Sequence, residues 1–406
     1  MTHLNNKRTG NRFQPNMETL EERLVKDASI SFDDGILTIT GDSYRDIAHI
    51  YVQDEEVVVD LWSAEQPDAE INRRIKDDQE NVEYQNYDRD LEDVETIVFR
   101  GLDGNDNLWS NAPVNMKAYG GRGHDYMITG SGRDYLQGDS GNDYLNAGDN
   151  RDTLSGGHGH DLLFGDSSIG DLYTYWNDRL DTYYSFPAIN EEVNAPNFDR
   201  YIRDKIGAGT PSYRSDFLNE FELSERGQTG FVDHIYGGYG NDIAYGAGGD
   251  DRIYGQAGSD WLFGGTEDDR IEGGYDFDFI YGGSGRDQLH AVGSSLRSRD
   301  GEDRAHIYGG SQNDYLYGSD GCDRLYGEAG VDYLYGRGEK DLLAGGTGSD
   351  HLYGEDGSDY LYGGSWYNID DGVRDYLYGG RDKDVLYLFS PDVLGDDIGD
   401  DIIHIP

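Results

Sequence analysis

The chain has 406 residues, 35% of them hydrophobic and 59 of them glycine, with 81 acidic side chains against 33 basic ones and a formal charge of −48. Such an excess repels the phosphates of nucleic acid and repels the chain itself, unless it stays disordered or takes up cations in number; the 33 tyrosines speak against disorder. A single cysteine, Cys322, excludes an intramolecular disulfide framework, and no apolar run approaches the ~18 residues that span a bilayer.

Residues 1–28 read as a polar, disordered leader, with no apolar h-region after Lys7, Arg8 and Arg12. Residues 29–100 hold short apolar or alternating runs at 30–32, 36–40, 47–52, 57–62 and 94–99, which predict strands separated by Asp/Gly turns. The polar stretch 64–93 predicts a loop or short helix. Together they make a small β segment that caps the glycine-rich remainder of the chain.

Glycine marks the boundary. Only Gly10, Gly35 and Gly41 precede residue 101, so the other 56 lie beyond it. From Gly101 a period of nine takes over, with the consensus G-G-x-G-x-D-x-U-x, where U is a large aliphatic residue. Clean copies are Gly156-Gly-His-Gly-His-Asp-Leu-Leu-Phe164 and Gly345-Gly-Thr-Gly-Ser-Asp-His-Leu-Tyr353. The first block covers 101–165 and the second 228–387, with degenerate copies at 291 and 300 that keep the phase. An aromatic-rich insert at 166–227 separates the blocks, a shorter one sits at 365–374, and an acidic, apolar tail covers 388–406.

Each nonapeptide predicts one short strand, x-U-x, and one turn, G-G-x-G-x-D, whose glycines supply left-handed φ angles. Two copies then close an eighteen-residue coil, and stacked coils pair their strands in parallel. The fold class is all-β, a parallel β-roll. One aliphatic side chain per repeat, in a file such as Leu316, Leu325, Leu334 and Leu343, is too little apolar burial to order nine residues. The aspartates would also repel one another. A hard cation resolves both problems: Ca²⁺ takes six to eight oxygens in irregular geometry, whereas Mg²⁺ demands a tight octahedron. The candidate ligands are the sixth-position aspartates: Asp125, Asp134, Asp143, Asp152, Asp161, Asp233, Asp242, Asp251, Asp260, Asp269, Asp278, Asp287, Asp314, Asp323, Asp332, Asp341, Asp350, Asp359, Asp375 and Asp384. Asp106 shares their phase at the edge of the array.

This array resembles the hemolysin-type calcium-binding (RTX) repeat. The resemblance implies a right-handed roll with calcium between successive turns, on the order of a dozen ions. It also implies an extracellular setting, reached by a type I export route. The segment Arg12-Phe-Gln-Pro-Asn-Met-Glu-Thr-Leu-Glu-Glu-Arg-Leu-Val25 is similar to the LEPR-XLL leader of planctomycete extracellular proteins, with Glu22 in place of its Pro and Val25 in place of its last Leu.

Aromatic residues crowd the ninth position. At eighteen-residue spacing one file reads Tyr236, Tyr254, Glu272, His290, Tyr308, Tyr326, Ala344, Tyr362 and the other Tyr245, Phe263, Tyr281, Arg299, Tyr317, Tyr335, Tyr353. Such ladders either stiffen the sheet or offer a surface to a polysaccharide or another surface protein. No catalytic residue is assigned. Gly138-Asp-Ser-Gly141 and Phe164-Gly-Asp-Ser167 look like hydrolase strings but fall in repeat phase. The functional expectation is a secreted calcium-binding module of structural or adhesive use, the alternative an exported enzyme with its site in 166–227 or 29–100.

Overall fold

The computed structural model describes residues 28–64, 82–166, 230–292, 304–364, 372–388, 392–395 and 401–404. The leader, almost all of the insert 166–227 and most of the shorter insert lie outside them. Among the described residues there is no α-helix, only one 3-10 turn at Leu91–Asp93. Every other element is a strand, and the strands fall into two sheets of 15 and 16. Within the array, successive strands alternate between the sheets, so each nonapeptide delivers one strand and the next crosses to the opposite side. Pairing along each sheet is parallel. This is a β-roll, as the repeat predicts. Several strands are longer than x-U-x: Arg324–Ala329 and Tyr333–Gly338 run on into the first three residues of the following turn.

Alternation splits the aliphatic file in two. Leu136, Leu154, Ile235, Ile253, Ile271, Leu289, Leu316, Leu334, Leu352 and Leu377 pair in sequence along one sheet. Leu145, Leu163, Ala244, Leu262, Ile280, Ile307, Leu325, Leu343, Leu361 and Leu386 do so along the other. All of them are fully buried in one continuous core. The core is thus two facing files of single side chains.

The roll reaches back beyond Gly101. Ile36–Thr40 pairs parallel with Thr96–Asp103, and Asp46–Gln53 pairs parallel with Asn107–Ser110, so residues 36–53 form a first coil. Outside that coil the pairing turns antiparallel. Ser29–Asp33 folds back on one sheet, and Glu56–Ala64 and Val82–Asp90 extend the other. Both hairpins close with two-residue turns of left-handed backbone, Asp34-Gly35 (φ 47° and 76°) and Asp54-Glu55 (φ 54° and 70°), the geometry that suits the twist of paired strands. Val57, Val59 and Leu61 are buried there, which covers the open end of the core. At the other end the tail supplies further strands, Val393–Leu394 in one sheet and Asp401–His404 in the other.

One prediction about the outer faces is corrected. The expected files assumed eighteen residues per coil throughout. The coil around the degenerate copies takes 27, so Tyr281 pairs with Tyr308 and His290 with Tyr317. Tyr308 and Tyr326 therefore continue the file of Tyr245, Phe263 and Tyr281, while Tyr317, Tyr335 and Tyr353 continue that of Tyr236 and Tyr254. Arg299 lies outside the described residues. The seventh position carries a second aromatic column, Tyr315, Tyr333, His351 and Tyr376, beside the column Tyr317, Tyr335, Tyr353 and Tyr378. Rings in both are stacked nearly parallel at 4.7–4.9 Å.

Each ring thus uses its faces on its neighbours. Tyr308 and Tyr326 stack at 4.7 Å and 9°, and such a pair contributes about 0.5–1.5 kcal/mol beyond burial. Replacing both with Thr keeps strand propensity. The expected outcome is a thermal midpoint lowered by about 2–4 °C, checked by calorimetry in calcium.

Candidate metal centre

The sixth-position aspartates stand at the end of each turn, just before the strand, and the stacking of coils sets them above one another. Two files result. In the first, the backbone N–H of Asp46 donates to Oδ1 of Asp106, and the relay continues through Asp125, Asp143, Asp161, Asp242, Asp260 and Asp278 at 2.7–3.0 Å. Ala305 occupies the next place, and the file resumes through Asp323, Asp341, Asp359 and Asp384. In the second, Asp134 donates to Asp152, then in turn to Asp233, Asp251, Asp269, Asp287, Asp314, Asp332, Asp350 and Asp375 at 2.7–2.9 Å. Asp375 donates to Asp392 at 3.2 Å.

All twenty sequence-predicted aspartates fall in these files, and all are buried. Asp106, expected at the edge, lies inside the first file, between Asp46 and Asp125. Sequence reasoning missed Asp46 and Asp392. For Asp46 a signal existed, since Gly41 precedes it by five residues, as the first glycine precedes the aspartate in every clean copy. Asp392 follows Ser390-Pro391 with no glycine, and only Asp-Val-Leu after it matches the pattern.

The relay uses one carboxylate oxygen and leaves the other. Oδ2 of Asp125, Asp143, Asp161, Asp242 and Asp260 in one file, and of Asp233, Asp251, Asp269, Asp287 and Asp332 in the other, is buried without a hydrogen-bond donor. Asp323 Oδ2 has a donor, accepting from Ser319 Oγ at 2.9 Å. In Asp46 the roles are exchanged: Oδ2 accepts from Asp42 N at 2.8 Å, and Oδ1 is the buried oxygen without a donor. An orphaned carboxylate oxygen is costly in a buried site and calls for a partner.

Glycine brings further oxygens to the same place. A Cβ added at Gly101, Gly120, Gly138 or Gly156 would run into Oδ2 of the aspartate five residues on and would also meet the carbonyl of the corresponding glycine one coil further. At the fourth position a Cβ on Gly123, Gly141 or Gly159 would overlap the carbonyl of the glycine one coil back, and these residues hold φ of 134–144°. Along each edge the turns therefore stack carbonyl oxygens and, at the aspartates just named, one carboxylate oxygen per coil that has no donor. No three His, Cys, Asp or Glu side chains converge among the described residues. The donor set is thus single carboxylates and backbone carbonyls, all hard oxygens, which suits Ca²⁺ and not a soft transition metal. Ser140, in one hydrolase-like string, reaches only the Gly121 carbonyl, at 3.4 Å.

Without a cation the burial has a clear electrostatic cost. Desolvation raises the carboxyls of Asp125, Asp233, Asp242 and Asp332 to about 7, and that of Asp161 to about 8. Desolvation and then neighbouring aspartates push Asp143 and Asp269 well up.

A family model described as the RTX calcium-binding nonapeptide repeat matches residues 119–154, 137–169, 229–262, 263–292, 301–334, 308–343 and 335–365. No curated protein matches the chain.

Two outcomes are expected. The folded, cation-free array holds protons that the unfolded chain releases, because its carboxyls are raised from 3.8 to about 7 or 8. In EGTA, stability is therefore highest at acid pH and is lost as pH rises from about 4 to 8; circular dichroism at stepped pH reads this directly. Asp106→Ala, inside a file, should raise the calcium midpoint for folding about as much as Asp332→Ala does, measured by calcium titration of each variant.

Proposed function

Because the chain is built on several copies of the RTX calcium-binding nonapeptide repeat, we propose that it is a calcium-folded structural module that acts outside the cell, in adhesion at the cell surface or matrix. The observation that carries this reading is the pair of aspartate files, in which Oδ2 of residues such as Asp143, Asp260, Asp251 and Asp287 is buried without a donor. The twenty sixth-position aspartates would hold the ions, with Asp46, Asp106 and Asp392 extending the set and the glycine carbonyls completing each shell. The bound cation supplies charge neutralisation and cross-links adjacent turns. It makes binding free energy into folding free energy, as in other metal-dependent modules.

The setting is argued from affinity. Sites of single carboxylates and carbonyls, assembled only on folding, fall in the range of extracellular calcium modules, about 10⁻⁴–10⁻³ M. A chain of charge −48 stays expanded where calcium is scarce and compacts where it is plentiful, which suits folding after export. No helix among the described residues is long and apolar enough to cross a membrane. The aromatic columns support a structural role, because near-parallel stacking leaves few ring faces for sugars. Adhesion would then draw on other features of the surface, toward a polysaccharide or another surface protein.

Calcium titration followed by circular dichroism tests the proposal. The expected result is a cooperative gain of β signal with a midpoint of about 10⁻⁴–10⁻³ M, and calorimetry should count on the order of a dozen ions. A chain already folded in EGTA at neutral pH, or one that takes up only one or two ions, would overturn it.

A further inference from the structure

Four arginines among the described residues pair with acids. Arg122 faces Asp103, Arg270 faces Glu272, Arg286 faces Asp268 and Arg381 faces Asp356. Arg133, Arg151 and Arg252 form no ion pair with a carboxylate among the described residues. These three converge on one pocket of about 480 Å³ with Asn115, Thr153 and His234. Stacking of the coils creates the cluster. Arg133 and Arg151 hold the fifth position of successive turns, and Thr153, His234 and Arg252 are cross-strand neighbours at the seventh. The Nε2 of His234 lies 3.2 Å from Nη1 of Arg252.

The repeat breaks its own rule at this edge. Thr129 and Ala147 stand where the first glycine belongs, Asn150 where the fourth does, and Met116 where the aspartate does. A side chain thus fills the cradle that glycine leaves open elsewhere, and guanidinium groups stand in the turns. Asp134 and Asp152 also line the pocket, but both are buried; their Oδ1 atoms accept from the backbone N–H of Met116 and Asp134, and their Oδ2 atoms, without a donor, belong to the set proposed above for calcium. Three exposed guanidinium groups against two buried carboxylates leave the mouth cationic on a strongly acidic chain. The roll edge here also carries Phe231, 42% exposed and one residue before the lining residue Val232. Its ring stacks on no other among the described residues, unlike those of the columns.

We infer that this pocket binds a tetrahedral oxyanion borne by a polysaccharide, a sulfate ester of a sugar. Guanidinium groups form charge-assisted, fork-like hydrogen bonds to such oxygens. The Thr153 hydroxyl and Asn115 amide add neutral donors suited to sugar hydroxyls, and the free face of Phe231 suits a pyranose ring. The charge elsewhere on the chain disfavours a dense polyanion, so the site selects a sparsely charged chain. Within about 8 Å at physiological salt the local cations prevail over distant acids. The inference goes beyond the calcium reading and does not depend on adhesion.

The test uses the full chain folded in calcium. Titration calorimetry compares a sulfated oligosaccharide, its desulfated counterpart, inorganic sulfate and inorganic phosphate. The sulfated sugar should bind, weakening as salt rises, with inorganic sulfate competing and the desulfated sugar failing to bind. The double variant Arg151→Ala/Arg252→Ala should bind about ten-fold more weakly or worse, with its calcium midpoint for folding unchanged. Arg151→Lys/Arg252→Lys, which keeps the charge but not the fork, should fall between, and Arg286→Ala should bind like the parent. Undiminished binding by the alanine variant, equal binding of the desulfated sugar, or binding of phosphate without the sulfated sugar would each overturn the assignment. Because the calcium midpoint is read on the same samples, loss of this site is distinguishable from failure of the array to fold.

Discussion

One interaction organises this molecule: the buried carboxylate that closes each turn. Its Oδ1 accepts the amide of the aspartate one coil earlier, which locks adjacent coils in register. Its Oδ2 is left facing the first glycine of its own turn and the carbonyl of the next. A side chain at that glycine would close the space, so the glycine content follows from the carboxylate. The acidity follows too, since each nonapeptide must repeat the group. A neutral Asn could accept the amide, but it could not help to neutralise a cation held between turns. Desolvation that is unfavourable to the bare fold is the same term that makes a hard cation welcome.

The register tolerates very different lengths of chain between coils. Successive aspartates of a file are separated by 17, 18, 19, 25, 27, 60 and 81 residues. Loop-closure entropy grows only slowly with length, so long excursions cost little once the strand and the aspartate return to their places. The array is therefore a scaffold that can carry insertions at its turns without loss of the core. Its ends are handled differently. Antiparallel hairpins finish the N-terminal end, where a bare parallel edge would invite further strands.

The fold and most of the candidate site were legible in the sequence because three residue types recur in one phase. Glycine, aspartate and aliphatic residues nine apart leave few other architectures. Asp46 was hidden because its turn, Gly41-Asp-Ser-Tyr-Arg-Asp46, keeps only the first and last residues of the pattern and stands sixty residues before its partner. Asp392 was hidden because its glycines are gone. The exchange of the aromatic files was hidden for a different reason. A coil of 27 residues is a whole number of nonapeptides, so the phase of the sequence runs through it unchanged while the two sheets trade places. The cluster of Arg133, Arg151 and Arg252 spans an 81-residue step, and no local pattern could bring its parts together.

That exchange of sheets has a meaning for how such a chain changes over generations. Copying errors in repetitive coding sequence add or remove whole units. Adding a single nonapeptide as a loop leaves every buried Leu and Ile buried and every aspartate in a file, because the two sides of the roll are alike inside. Outside they are not alike, and everything downstream of the added unit now faces the other way. The columns of Tyr317 and Tyr335 lie under Tyr254 rather than under Phe263 because of one such unit. A single duplication can thus reassign an entire surface, with all its tyrosines and charges, in one heritable step that the core does not detect.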